Sequence, residues 1–110
     1  MSMVKSGWVL IGSLLTVATP AQAQAIETLQ GHFTFNWHAN PARQKCVEVK
    51  GALLADFKSK QYRCEMKPVT NTASGGSARV CTLIKGGKEY LIFATRKACE
   101  EERKVQESNG

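Results

Sequence analysis

The chain has 110 residues, of which 15 are Lys or Arg and 9 are Asp or Glu, giving a formal net charge of +6 at pH 7. This length excludes more than one domain, and a domain this small buries too little apolar surface to be stable without additional constraints. The positive charge is mild and spread along the chain. Aromatic residues are not interspersed among the basic ones in the way that binding of single-stranded nucleic acid requires, so we predict no nucleic-acid partner.

The first 23 residues have the layout of a secretory signal peptide. Lys5 lies in a short leading segment, an apolar run follows over residues 8–17, and Pro20 precedes an Ala-Gln-Ala triplet that ends at Ala23. The apolar run is about ten residues, against the roughly 20 needed to span a bilayer, which disfavours a membrane anchor. We therefore predict cleavage after Ala23, one mature domain over residues 24–110 with no membrane span, and a bacterial periplasmic or secreted location.

All four cysteines lie beyond the predicted cleavage point, at Cys46, Cys64, Cys81 and Cys99. An even number in a short exported chain predicts disulfides, and the spacing contains neither a CxxC pair nor a Cys/His zinc pattern. Three connectivities are open. We favour Cys46–Cys64 with Cys81–Cys99, because each pair then ties a helix to a neighbouring strand. Each bridge would contribute roughly 3 kcal/mol in the chain-entropy model.

The mature chain begins with a polar stretch, residues 24–31, which we predict to be loose. Residues 32–38 then alternate polar and apolar, a pattern with period two that indicates a strand. The apolar positions are predicted to face the core (Phe33, Phe35 and Trp37), and the polar ones to face water (His32, Thr34, Asn36 and His38). Pro41 is expected to end this strand.

The segment from residue 42 to residue 60 has apolar positions at helical spacing, but Gly51 lies in its middle. A glycine inside a helix costs roughly 1 kcal/mol, so we predict a break near Gly51 and a short helix over residues 52–59. Its buried face would consist of Leu53, Leu54 and Phe57. A strand over residues 61–67 should follow and stop at Pro68.

A hairpin is the clearest signal in the chain. Two apolar strands, residues 79–85 and 88–94, flank Gly86-Gly87, and a two-residue Gly-Gly turn would place Cys81 opposite Ile92. Both faces of this hairpin are apolar, so we predict that other elements cover the sheet on both sides.

The last predicted element is a charged helix from about Arg96, with Thr95 as its N-cap. Its apolar stripe is thin, and the charged run over residues 100–104 is interpreted as a solvated helix face. The fold class that follows is α+β: a small antiparallel sheet, made of a three-stranded meander plus a possible N-terminal strand, with two short helices and two disulfides.

No nucleophile motif, metal site or cofactor signature is visible in the sequence, so we predict no cofactor and do not favour an enzyme. His32 and His38 share a strand face but would be separated by roughly 20 Å, too far to bind one ion together. The loop containing Gly75-Gly76 could hold an anion through its backbone amides, although a plain connector is the simpler interpretation.

The function favoured by the sequence is that of an exported, non-enzymatic binding module. The predicted contact residues are basic and close in sequence: Lys58, Lys60, Arg63 and Lys67. They would meet an acidic protein or an anionic component of the envelope. The alternative is a small periplasmic hydrolase whose site would use His32, His38 or Glu65.

Overall fold

The computed structural model describes residues 20–109, with side chains from residue 22 onward. Within them the chain forms three α-helices and five β-strands, in chain order α1 (Pro20–Glu27), β1 (Phe33–Asn36), β2 (Val47–Glu48), α2 (Gly51–Lys58), β3 (Tyr62–Val69), β4 (Ala78–Leu83), β5 (Glu89–Phe93) and α3 (Arg96–Asn109). All strands belong to one antiparallel sheet with the order β2-β1-β5-β4-β3. The predicted α+β class is confirmed, with five strands where three plus one were expected and a third helix in addition.

Most of the predicted signal peptide, residues 1–19, lies outside the described residues. The described part begins with α1, which spans the predicted cleavage point at Ala23. The loose lead-in predicted for residues 24–31 is wrong, because Ile26 and Leu29 are buried in the core. The polar composition of this stretch hid the two apolar side chains that attach it to α2.

The sheet is covered on both faces, as its apolar character predicted. On β5, Ile92 points to one face while Leu91 and Phe93 point to the other, as the period-two alternation of a strand requires. Helices α1 and α2 cover the Ile92 face, and α3 covers the Leu91 face. Each face therefore has its own hydrophobic cluster.

The hairpin between β4 and β5 differs from the prediction by two residues. Cys81 pairs with Tyr90 rather than with Ile92. Four residues, 84–87, form the loop, and its two glycines have φ of 98° and 96°. Because side chains alternate with period two, a shift of two residues leaves every side chain on its predicted face.

Strand β1 lies between β2 and β5, where both faces of the sheet are covered, and this coverage changes which of its side chains meet water. Thr34 is 0% exposed and donates from Oγ1 to the carbonyl of Leu91 at 2.6 Å. Trp37 follows the strand and is 40% exposed. The predicted exposure of Thr34 and the predicted burial of Trp37 are therefore wrong, while the inward position of Phe35 is confirmed.

The predicted break near Gly51 is confirmed. Helix α2 starts there, where Gly51 has a φ of 55°, and it buries Leu54 and Phe57. Strand β3 continues past Pro68, where the sequence had predicted its end, but with a register shift between Glu65 and Val69. Proline is tolerated because β3 is an edge strand, whose outer side needs no donor.

Both disulfides are present, but the favoured connectivity is wrong: Cys46 bonds to Cys99 and Cys64 to Cys81. Cys64 and Cys81 lie directly opposite each other on β3 and β4, with their Cα atoms 4.0 Å apart. Cys46 precedes β2 outside any helix and reaches Cys99 in α3. The expectation that each bridge joins a helix to a neighbouring strand therefore failed for both.

Candidate functional site

The predicted basic residues are found at the end of α2 and along β3, but they do not form one uniform patch. The Nζ atom of Lys58 lies 2.7 Å from Oε2 of Glu27 in α1, so its charge is partly neutralised within the protein. Lys60, Arg63 and Lys67 are exposed. Lys58, Lys60 and Arg63 line a common groove, and Lys67 lies outside it.

We call this depression the basic groove. It lies between α1, α2 and β3 and has a volume of about 460 Å³. Its apolar lining includes Met66 and Ile84, and Ile84 is 59% exposed. Tyr62 also lines it, and burial, with nearby Tyr90 and Asp56, raises the pKa of the Tyr62 hydroxyl, which therefore stays neutral at physiological pH.

The groove runs beside the outer edge of β3, which is an end strand of the described sheet. The amide of Ile84 donates to the carbonyl of Gln61 at 2.9 Å. Since hydrogen-bonded and non-hydrogen-bonded pairs alternate between antiparallel strands, the main-chain groups of Tyr62 and Cys64 point away from β4. The Tyr62 amide donates to the carbonyl of Ser59 at 3.3 Å, so the carbonyl of Tyr62 and the main-chain groups of Cys64 face the open edge. A short length of strand edge is thus available beside the basic side chains.

The far end of this edge is closed by local contacts. Nε of Arg79 donates to the carbonyl of Met66 at 3.1 Å, and the amide of Lys67 donates to Oε1 of Glu65 at 3.1 Å. Together with the register shift before Val69, these contacts confine regular pairing to the first half of β3.

A second depression, which we call the apolar groove, lies on the other face of the sheet, beside α3. Its volume is about 600 Å³. Val69, Val80 and Leu91 supply its aliphatic lining, and Trp37 also lines it beside Glu89. The remaining lining is polar: Asn71, Thr72, Glu89, Glu102, Gln106 and Asn109, with Ala73 between them.

Glu89 is held at the rim of the apolar groove by four hydrogen bonds to its neighbours. Oε1 accepts from Nε1 of Trp37 at 2.9 Å, and Oε2 accepts from Oγ1 of Thr82 at 2.8 Å. Its main-chain amide donates to the side chain of Asn36 at 3.0 Å, and its carbonyl accepts from the amide of Trp37 at 3.0 Å. The position of the carboxylate is therefore fixed by the end of β1.

Glu102 is 0% exposed, although the sequence placed it on a solvated helix face. Its carboxylate accepts from the amides of Ala73 and Ser74, at 3.1 and 2.8 Å, and from Nε2 of Gln106 at 2.7 Å. Burial acts to raise the pKa of Glu102, but these hydrogen bonds outweigh it and hold the pKa below its ordinary value. The loop that the sequence offered as an anion cradle thus binds an anion, and that anion belongs to α3.

The two histidines lie at opposite ends of β1. The carbonyl of His32 accepts from the amide of Val49 at 2.8 Å, while Nε2 of His38 lies 3.5 Å from Oε1 of Glu89, and His38 is exposed. Glu65 caps the amide of Lys67 and is exposed. The three residues named for a hydrolase site are therefore not brought together.

In the part of the chain that the structure describes, no cluster of three or more His, Cys, Asp or Glu side chains is arranged to hold a metal ion. Among residues 20–109, no helix combines the length and the apolar character needed to cross a bilayer. The two disulfides are compatible with an oxidising, extracytoplasmic location. Comparison with models of known protein families, with curated proteins and with solved structures found no match.

Proposed function

We propose that the protein is exported and acts as a binding module that holds an acidic, extended segment of another protein along the outer edge of β3. The observation that carries this proposal is the open main-chain edge at the carbonyl of Tyr62 and at Cys64, flanked by Lys60 and Arg63. Addition of a strand to an exposed sheet edge is a recurrent mode of peptide recognition.

The charge and shape of the basic groove favour a segment in which acidic residues alternate with apolar ones. Alternate residues of an added strand point to opposite sides, so acidic ones can lie beside Arg63 on one face of β3 while apolar ones contact Met66 on the other. Lys58 contributes less, because Glu27 already neutralises it. The open part of the edge is short, so the segment recognised along it is only a few residues long.

The test uses a seven-residue peptide of alternating Glu and Val, labelled for fluorescence anisotropy. The double variant Lys60→Glu/Arg63→Glu should weaken its binding at least tenfold, because like charges then oppose each other. The matched control Lys97→Glu/Lys104→Glu makes the same charge change at exposed positions of α3 and should bind as the unmodified protein does. Equal weakening in both variants, or no binding at all, would contradict the proposal.

Two further probes separate the edge from general charge. A Glu-Pro peptide has the acidic side chains but loses the amide donor at every proline, whose ring also restricts the backbone, and it should bind much more weakly than the Glu-Val peptide. Vesicles containing phosphatidylglycerol represent an anionic envelope surface. If the vesicles bind and the peptide does not, the partner is the envelope surface rather than a protein.

The hydrolase alternative has one observation in its favour, the pair formed by His38 and Glu89 beside the apolar groove. Both carboxylate oxygens of Glu89 already accept hydrogen bonds, from Trp37 and Thr82. This makes Glu89 a fixed acceptor rather than a general base, and we do not assign a hydrolytic function to it.

A further inference from the structure

We propose that the apolar groove binds a small molecule with an apolar body and a cationic ammonium group. The body would lie on Val69, Val80 and Leu91, and the ammonium group beside Glu89 and Trp37. This site is on the opposite face of the sheet from the basic groove and takes a ligand of the opposite charge, so it goes beyond the proposed function.

The dimensions of the groove suit a small molecule. Its volume of about 600 Å³ lies in the range typical of ligand sites, which combine a mostly apolar lining with a few placed polar groups. The loop at Asn71 and Thr72 borders one side, and Gln106 and Asn109 of α3 border another. These borders favour a compact ligand over a continuous polypeptide.

The positive charge proposed for the ligand follows from the residues that line the groove. Lys and Arg outnumber Asp and Glu by 15 to 9 in the whole sequence, yet the two charged side chains that line the groove are Glu89 and Glu102. Glu102 is committed to the loop amides and to Gln106, so it contributes negative potential but few free lone pairs. Glu89 is left as the group that can contact a cation directly.

Glu89 is positioned for that contact before any ligand arrives. A carboxylate has about four acceptor sites; the hydrogen bonds from Trp37 and Thr82 use one on each oxygen, and Nε2 of His38 lies 3.5 Å from Oε1, which leaves Oε2 as the oxygen with a site for an ammonium group. The indole of Trp37 lines the same end of the groove, and tryptophan is the aromatic side chain whose face attracts cations most strongly. Carboxylate and indole together select an ammonium group over a carboxylate or a hydroxyl.

The experiment is a titration of the full chain carrying Trp8→Phe, in which Trp37 is the single tryptophan and reports on the groove. The probes are n-hexylamine, n-hexanol and hexanoate, which share a six-carbon chain and differ in charge. We expect hexylamine to cause a saturable change in Trp37 emission with an affinity at least tenfold higher than that of either other probe. Equal affinities, or no saturable change, would overturn the proposal.

Variants assign the effect to Glu89. Glu89→Gln keeps the size of the side chain and should reduce hexylamine affinity to the level of hexanol, followed through the methyl signals of Val80 and Leu91 in nuclear magnetic resonance spectra. The control Glu101→Gln changes the same charge at an exposed position of α3 and should have no effect. Unchanged affinity in Glu89→Gln would refute the site.

A further variant covers the case in which Glu89→Gln fails to fold. Val69→Lys, at the half-buried end of the edge strand β3, places a cation in the groove and should abolish hexylamine binding. A Lys-Val peptide serves as the last probe. If it binds more tightly than hexylamine and loses affinity in Glu89→Gln, the occupant is a basic polypeptide and the small-molecule assignment is wrong.

Discussion

The carboxylate of Glu102 joins α3 to the loop between β3 and β4. This contact compensates for the small apolar surface of α3, in which only Cys99 and Glu102 are buried. A buried carboxylate is stable only when its charge is met by donors, and here the amides of Ala73 and Ser74 and the side chain of Gln106 supply them.

Replacement of Glu102 by Gln should lower the free energy of unfolding by about 1 kcal/mol at pH 7, since neutral hydrogen bonds replace charge-assisted ones. Urea unfolding measures this loss, with Glu101→Gln as the matched control of equal charge change. A midpoint equal to that of the control would show that the buried carboxylate contributes nothing.

The same residue predicts a dependence on pH. Because the folded state lowers the pKa of Glu102, its contribution is fully present above the pKa of the unfolded carboxyl, about 4.3, and is lost as the pH falls through the lower folded value. The difference in stability between the unmodified protein and Glu102→Gln should therefore shrink as the pH falls below about 4.3. A difference that stays constant over this range would contradict the assignment.

The sequence could not identify Glu102, because its neighbours in the same run are solvated. Glu100 pairs with Arg103 at 2.8 Å and Glu101 is exposed, as expected for a charged helix face. Glu102, the third glutamate of the run, is buried because the loop between β3 and β4 lies against it, and this contact is not visible in the sequence. Trp37 was misplaced for a related reason, since alternation predicts the side of a strand but not where the core ends.

At the scale of elements, α3 is attached through single side chains rather than by a broad apolar face. Cys99 is bonded to Cys46, Glu102 binds the loop, and Nη1 of Arg103 donates to the carbonyl of Pro41 at 3.2 Å. The bond between Cys46 and Cys99 spans 53 residues and that between Cys64 and Cys81 spans 17. In the chain-entropy model they contribute about 4 and about 3 kcal/mol.

Removal of the longer bridge should therefore release α3. In the double variant Cys46→Ser/Cys99→Ser, we expect amide hydrogen exchange to accelerate over residues 96–109 more than over β3 and β4. In Cys64→Ser/Cys81→Ser the order should reverse, since that bridge lies within the sheet. Helix protection that is the same in both variants would show that α3 does not depend on its disulfide.

The elements that the sequence predicted well are those with strong local signals. Alternation located β1, Gly51 located the start of α2, and the paired glycines located the β4–β5 hairpin. The missed elements depend on tertiary contact. Helix α1 has little apolar periodicity but docks through Ile26, and β2 is only two residues long.

At the scale of the molecule, the sheet explains why the two grooves have different chemistry. Its two apolar faces are covered by different helices, and on each face the helices leave part of the sheet uncovered. The uncovered parts are the basic groove beside β3 and the apolar groove beside α3. Composition alone predicted a basic surface. It could not predict an acidic lining on the opposite face, because Glu89 and Glu102 meet there only in the folded chain.

The covalent ties among the four cysteines are the direct test of this arrangement. After free thiols are blocked, trypsin should release residues 46–50 joined to residues 98–103, and residues 64–79 joined to residues 80–85, since the Lys67–Pro68 bond resists cleavage. Mass spectrometry of the unreduced digest identifies these pairs. Recovery of both joined peptides is the expected result, whereas residues 46–50 joined to residues 64–79, or blocked thiols at any cysteine, would contradict the fold described above.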